Sequence, residues 1–292
     1  MNFFVYNKDY IRELLSQFSQ NEVFICENFF NFDMCKSNSK KYDYYIIPLC
    51  FGFTHCDLNI MYKFCNLFFN KLPQFKGNES KHIVFICNDY HEEPFIFQNL
   101  ILFKFSSHIN GMSLPIHYRT SMKTLPTKEN YDVSFVGNVN SNKTRACLKK
   151  SLMNSGLNYF FKATKDNFFM VNADKKEEMI LEFEQISNQS KFILCPRGGG
   201  LNSMRFFETM SIGKIPILIS DFAKLPLEKE IDYSKFVVRV PENKIKNIKE
   251  YIDDFMFKVD IKQASVLSRS MWLNYFSPDK IDYFLEKSIS NN

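Results

Sequence analysis

The feature that most constrains this chain is an alternation. Short runs of β-branched and aromatic residues recur along it: VFIC near residue 23, YYIIPL near 44, HIVFIC near 82, VSFVG near 133, FILC near 192, IPILIS near 215 and FVVRV near 236. Between them lie amphipathic stretches such as Asp57–Leu72, Asp174–Gln189 and Ser203–Ile212. Near-continuous apolar runs of this length suit strands buried on both faces, and helix-period segments between them supply the crossovers that cover the sheet. The pattern predicts an α/β protein of βαβ units with parallel sheets. At 292 residues and 45% hydrophobic content, the chain can build one large α/β domain or two smaller ones.

The polar segment Thr120–Asn130, which contains Pro126, separates two sets of strand signals and reads as a linker. The expected organisation is a Rossmann-like domain over residues 1–125 and a second over 126–270. A helical segment over 271–292, broken at Pro278, is expected to return to the first domain.

Several function classes are disfavoured. The opening MNFFVYNKDYIRELL passes straight into a strand-like run and an amphipathic helix, without the charged, apolar and small-residue order of a signal peptide. The longest apolar run, Tyr44–Phe53, is shorter than a bilayer span and contains Pro48, so a cytoplasmic location is expected. The eight cysteines sit mostly inside apolar runs (Cys26, Cys50, Cys87, Cys195) and none is spaced C-x-x-C, which favours reduced buried thiols over disulfides or zinc. A net charge of +5, not gathered into one block, speaks against a nucleic-acid partner and suits an anionic substrate or an acidic membrane surface.

In open α/β sheets ligands bind beyond the carboxyl ends of strands, where turns meet helix N-termini. Two stretches fit. In YDVSFVGNVNSNKTRACL a strand ends at Gly137 and Asn138, and a helix begins near Asn142. Residues 137–144 nearly spell a phosphate-binding loop, but Asn142 stands where its second glycine is needed. An anion site at the helix N-terminus aided by Arg145, or an ordinary strand-to-helix turn, both remain open. In KFILCPRGGGLNSMRFFETMSIGKIPILISD a strand leads through Arg197, Gly198 and Gly199 to Ser203 and a helix that ends at Gly213. Arg205 and Glu208, three apart, share one face of that helix, while Met204, Phe207 and Met210 or Ser211 turn toward the sheet. A surface ion pair is one account of Arg205 and Glu208. Their place beyond a glycine-rich turn favours another, in which the arginine binds a diphosphate and the carboxylate accepts both ribose hydroxyls.

SKFILCPRGGG, RFFE at 205–208, GKIPILISD at 213–221, LPLE and IDYSKFVVRVPE at 231–242 closely resemble the exostosin family, glycosyltransferase family 47. Weaker likenesses occur upstream in the same order: YDYYIIPL at 42–49, KHIVFICNDYH at 81–91 and VSFVGNVNSNKTR at 133–145. The resemblance implies the GT-B fold, two Rossmann-like domains with a cleft between them and the nucleotide-sugar held mainly by the second. It also implies inversion at the anomeric centre without a bound metal or other cofactor. Many eukaryotic members carry a Golgi membrane anchor, and this chain shows none, so a bacterial or viral cytosolic relative is expected.

Two further observations agree with the resemblance. The chain contains no D-x-D, and Glu208 has no glutamate eight residues away, as retaining GT-B enzymes commonly have. Without a metal, arginines and helix N-termini must neutralise the departing diphosphate. The candidate donor-binding residues are therefore Gly137, Asn138, Arg145, Arg197, Gly198, Gly199, Ser203, Arg205 and Glu208. A base must take the proton of the acceptor hydroxyl. NDYHEEP supplies Asn88, Asp89 and His91 at a strand end, and THCD supplies His55 and Asp57; Asp89 and His91 are the chosen catalytic candidates.

The expectation is an inverting, metal-independent glycosyltransferase. Its donor is a nucleotide-diphosphate sugar, with uridine the expected nucleoside, and its acceptor a hydroxyl of a surface glycan or lipid-linked oligosaccharide. The positive charge is compatible with peripheral association at the inner membrane face. The alternatives are a nucleotide-sugar epimerase of the same fold and a non-catalytic nucleotide- or sugar-binding protein.

Overall fold

The computed structural model describes residues 1–17, 24–26, 41–52, 58–86, 99–105, 111–115, 122–164 and 171–291. The chain divides into two compact units. The first comprises residues 1–114, 224–227 and 281–292, and the second residues 115–223 and 228–280.

In chain order the first unit contains β1 (Phe3–Val5), α1 (Lys8–Leu15), β2 (Phe24–Cys26), β3 (Tyr44–Gly52), α2 (Leu58–Asn70), β4 (His82–Ile86), β5 (Ile101–Lys104) and β6 (Met112–Ser113). The strands line up β1-β3-β4-β5-β6 with every neighbour parallel. β2 instead pairs antiparallel with the far end of β3, a reversal of the direction expected for VFIC. Pro48 falls where the β3–β4 register shifts between Ile46 and Cys50; it lacks the N–H that a regular ladder uses, so the strand bulges there. Side chains alternate across β4. Val84 and Ile86 join Ile11, Phe64 and Phe68 in one core, whereas Phe85 packs on Phe103, which meets Phe284. At the start of β4, His82 is fully buried, stacked on Tyr45 at 4.9 Å. Its Nδ1 donates to the Asn78 carbonyl and its Nε2 accepts from the Tyr6 hydroxyl, while burial holds its pKa below the usual imidazole value.

The second unit contains β7 (Tyr131–Asn138), α3 (Lys143–Met153), β8 (Tyr159–Thr164), α4 (Ala173–Asn188), β9 (Ser190–Pro196), α5 (Met204–Ser211), β10 (Ile215–Ile219), β11 (Val238–Val240), α6 (Ile248–Lys258) and α7 (Ile261–Met271). After a π-helical turn, α8 (Ile281–Ser290) is counted with the first unit. The five strands are parallel, in the order β8-β7-β9-β10-β11. β10 is buried throughout and β9 nearly so, as strands covered on both faces must be. Unlike the two-faced helix expected from its spacing, α5 is buried from Phe206 through Ser211. Its Phe206 meets Tyr233 and its Phe207 meets Phe276, so cover from the β10–β11 loop and the turn after α7 closes the face that spacing alone leaves to solvent. Among the described residues no helix is long and apolar enough to cross a membrane.

Candidate functional site

The strand order of the second unit contains one reversal. From β7 the chain steps out to β8, then crosses back over β7 to β9 and continues outward to β10 and β11. Connections on either side of such a reversal leave toward opposite faces, which opens a crevice at the carboxyl ends of β7 and β9. The residues there are Gly137 and Asn138 on β7, and Pro196, Arg197 and Gly198 at and beyond the end of β9.

The β7–α3 turn is closed by its own side chains. Asn142 caps α3 by accepting from Thr144 N at 2.8 Å, and its Nδ2 donates to the Gly198 carbonyl at 3.1 Å. Arg145 lies across both strand ends. Its Nε donates to Arg197 O at 2.9 Å, Nη1 to Asn138 O at 3.2 Å and Nη2 to Pro196 O at 3.1 Å. The near-match to a phosphate-binding loop is thus a capped strand-to-helix turn, with the Thr144 hydroxyl donating to Glu242 at 2.8 Å. Gly198 must come this close to Arg145, because a Cβ there would stand 3.3 Å from Nη2.

The β9–α5 turn is different. Ser203 occupies the N-cap of α5 without making the cap bond, and its buried Oγ has no hydrogen-bond partner among the described residues. From the first turn of α5, Arg205 reaches back over β7. Its Nε donates to Val136 O at 2.7 Å and its guanidinium stacks over Phe183 of α4 at 4.6 Å. The side chain passes so close over Gly137 that a Cβ there would lie 2.8 Å from Nη2. Glu208, one turn on, is 8% exposed. Arg145, Arg205 and Glu208 all act on the Cys195 thiol near the end of β9. Burial dominates there and pushes that thiol up to about 12. A surface ion pair does not describe a guanidinium laid on a backbone carbonyl and an aromatic ring, on a helix whose Glu208 is itself buried.

Arg197 donates through Nε to Glu242 at 2.7 Å, and its side chain is 23% exposed. Gly199 is exposed in the same turn. Asp89, His91 and Asn88, with His55 and Asp57, lie outside the described residues. Glu242 was not singled out from the sequence. The signal that could have found it is its place just after β11, the same strand-end position that marks Asn138 and Arg197.

The Exostosin GT47 domain matches residues 73–255, more than half of the chain. The Exostosin-1 homolog of Caenorhabditis elegans is 37% identical over 71 residues, which cover 24% of this chain and 19% of that protein. Exostosin-1c of Danio rerio is 30% identical over 112 residues, covering 37% of this chain and 15% of that protein. The matched segments thus span less than a fifth of either relative's length. The solved structure of TarM superposes with a TM-score of 0.39 at 7% identity, covering 80% of this chain and 57% of that one. With strand ends, glycine turn and Arg205–Glu208 helix all inside the matched span, the chain belongs to the Exostosin GT47 family.

Proposed function

We propose that this chain is a GT-B glycosyltransferase that moves a sugar, with inversion and without a metal, from a nucleotide-diphosphate donor, UDP-linked, to a hydroxyl of a glycan or lipid-linked oligosaccharide. The observation that carries the proposal is that Arg205, from the first turn of α5, lies against Val136 O and over Gly137 on β7, while Arg197 follows the end of β9 at the same reversal. Arg205 and Arg197 neutralise the diphosphate, joined by the Ser203 hydroxyl and the positive end of α5. Glu208 accepts the ribose hydroxyls. Gly137 makes room for Arg205 and Gly198 for Arg145, the exposed Gly199 lets the backbone approach the donor, and Arg145, anchored on the Asn138 carbonyl, holds the floor of the crevice while adding its charge.

In the reaction the acceptor oxygen forms a bond to the anomeric carbon from the face opposite the leaving group. The bond from that carbon to the diphosphate oxygen breaks and the diphosphate leaves with its electron pair. The acceptor proton passes to Asp89 or His91. Negative charge grows on the departing oxygen, where fixed donors in a crevice act most strongly.

The test is a thermal-shift screen of UDP, GDP and CMP and their sugars, followed by product analysis with the best donor. A ligand at about a hundred times its dissociation constant adds roughly 2.7 kcal/mol of stability. The expected result is stabilisation by one nucleoside diphosphate, transfer with inverted anomeric configuration by NMR, and an unchanged rate in EDTA. Loss of activity on chelation, or retained configuration, would overturn the metal-free inverting mechanism. Conversion of the donor to an epimer without acceptor would overturn the transferase assignment.

A further inference from the structure

Glu242 sits where four elements meet. Its Oε1 accepts from Arg197 Nε at 2.7 Å and from Asp221 N at 3.3 Å, and its Oε2 accepts from the Thr144 hydroxyl at 2.8 Å. Its own N–H donates to Asp221 Oδ1 at 2.8 Å. One carboxylate thus joins the first turn of α3 to the carboxyl ends of β9, β10 and β11, and its side chain is 19% exposed.

The consequence falls on Arg197. Its Nε is occupied by Glu242, and among the described residues its Nη1 and Nη2 make no hydrogen bond. Arg145 is the opposite case, with Nε, Nη1 and Nη2 all donating to strand-end carbonyls. A guanidinium gripped at Nε has its plane set, and its two terminal nitrogens then form a fork whose side-chain freedom is already spent before a ligand arrives. We propose that Glu242 is a positioning residue which, through Arg197, presents this fork to the diphosphate of a nucleoside-diphosphate donor. The inference rests on the donor site proposed above.

The sign of the effect separates this role from simple electrostatics. A carboxylate beside a diphosphate repels it, so removing that charge would tighten binding if charge alone counted. Positioning predicts the reverse. The test measures the affinity of the full-length chain for UDP and for uridine by titration calorimetry, using GDP and guanosine or CDP and cytidine where that diphosphate binds more tightly. Glu242→Gln is expected to weaken the diphosphate roughly ten- to a hundredfold, the cost of a misplaced group, and to leave the nucleoside unchanged. In an Arg197→Ala background the same change is expected to have no further effect, since the two act as one unit. Glu242→Asp keeps the charge but withdraws it by one methylene, and is expected to weaken the diphosphate in the same sense; it serves where Glu242→Gln fails to fold.

A diphosphate affinity unchanged or tightened by Glu242→Gln, equal weakening of nucleoside and diphosphate, or multiplying effects in the double variant would each overturn the positioning role alone. Failure of the unaltered chain to bind any of the three diphosphates would overturn the donor site and this role with it.

Discussion

After β7 and after β9 the chain makes the same move, a few polar residues and then a helix with an arginine in its first turn, yet the two turns distribute their hydrogen bonds in opposite ways. After β7, Asn142 caps its helix and Arg145 gives three N–H groups to carbonyls. After β9, Ser203 leaves its cap unmade, and Arg197 keeps two terminal nitrogens out of hydrogen bonds with the described residues. The difference teaches that arginine content and spacing do not identify a ligand site. What distinguishes them is whether a guanidinium has all three nitrogens committed to backbone, as in Arg145, in which case it contributes stability, or is held in place with capacity left over, as in Arg197.

The largest test of this contrast is Arg145→Ala. Three strand-end carbonyls lose a charged donor, so unfolding in urea is expected at a stability lower by about 4 kcal/mol. A variant of normal stability with lost donor affinity would break the comparison. Arg205→Ala comes next and is expected to act on turnover, reducing kcat roughly a hundredfold, or about 3 kcal/mol, with a smaller change in KM. Steady-state kinetics with the donor found above checks it, and a normal kcat would remove Arg205 from the diphosphate. Gly137→Ala, whose Cβ would meet Arg205 Nη2 at 2.8 Å, is expected to push that guanidinium aside and cost about 2 kcal/mol of stability along with donor affinity. If a crystal structure of the variant showed Arg205 unmoved, the contact would be slack. The smallest pair concerns the caps. Asn142→Ala is expected to lower stability by about 1 kcal/mol, whereas Ser203→Ala, which removes a hydroxyl that makes no hydrogen bond among the described residues, is expected to change it by less than about 0.5 kcal/mol while weakening the nucleoside diphosphate. Equal losses of stability from the two would erase the contrast.

Strand-forming runs were legible where burial is complete. VSFVG, FILC and IPILIS correspond to β7, β9 and β10, since a strand covered on both faces must read as an unbroken apolar run. β8, an edge strand with Lys162 and Ala163 exposed, escaped because its half-solvated sequence lacks that run. The direction of β2 escaped because direction is decided by pairing with β3 and leaves no mark on composition. At the site, the position of Arg205 and Glu208 beyond a glycine turn was readable from spacing. The destination of the Arg145 guanidinium and the grip of Glu242 on Arg197, 45 residues away, depend on which strand ends become neighbours. Asp89 and His91 lie outside the described residues, so their part rests on the sequence alone.

The reach of Glu242 has a kinetic consequence. Its bond to Thr144 joins residues 98 apart, and it hangs from β11, a three-residue strand that among the described residues lies at the sheet edge and pairs with β10 alone. Contacts that close such long loops form late in folding, and edge strands open more readily than the sheet interior. The crevice is therefore expected to be completed after the sheet that carries it, and fraying of β11 is expected to dissolve the grip on Arg197 while β7 and β9 stay paired. Amide exchange at Val238–Val240 should be faster than along β9, and a bound nucleoside diphosphate should slow it, because occupying the Arg197 fork selects the closed edge.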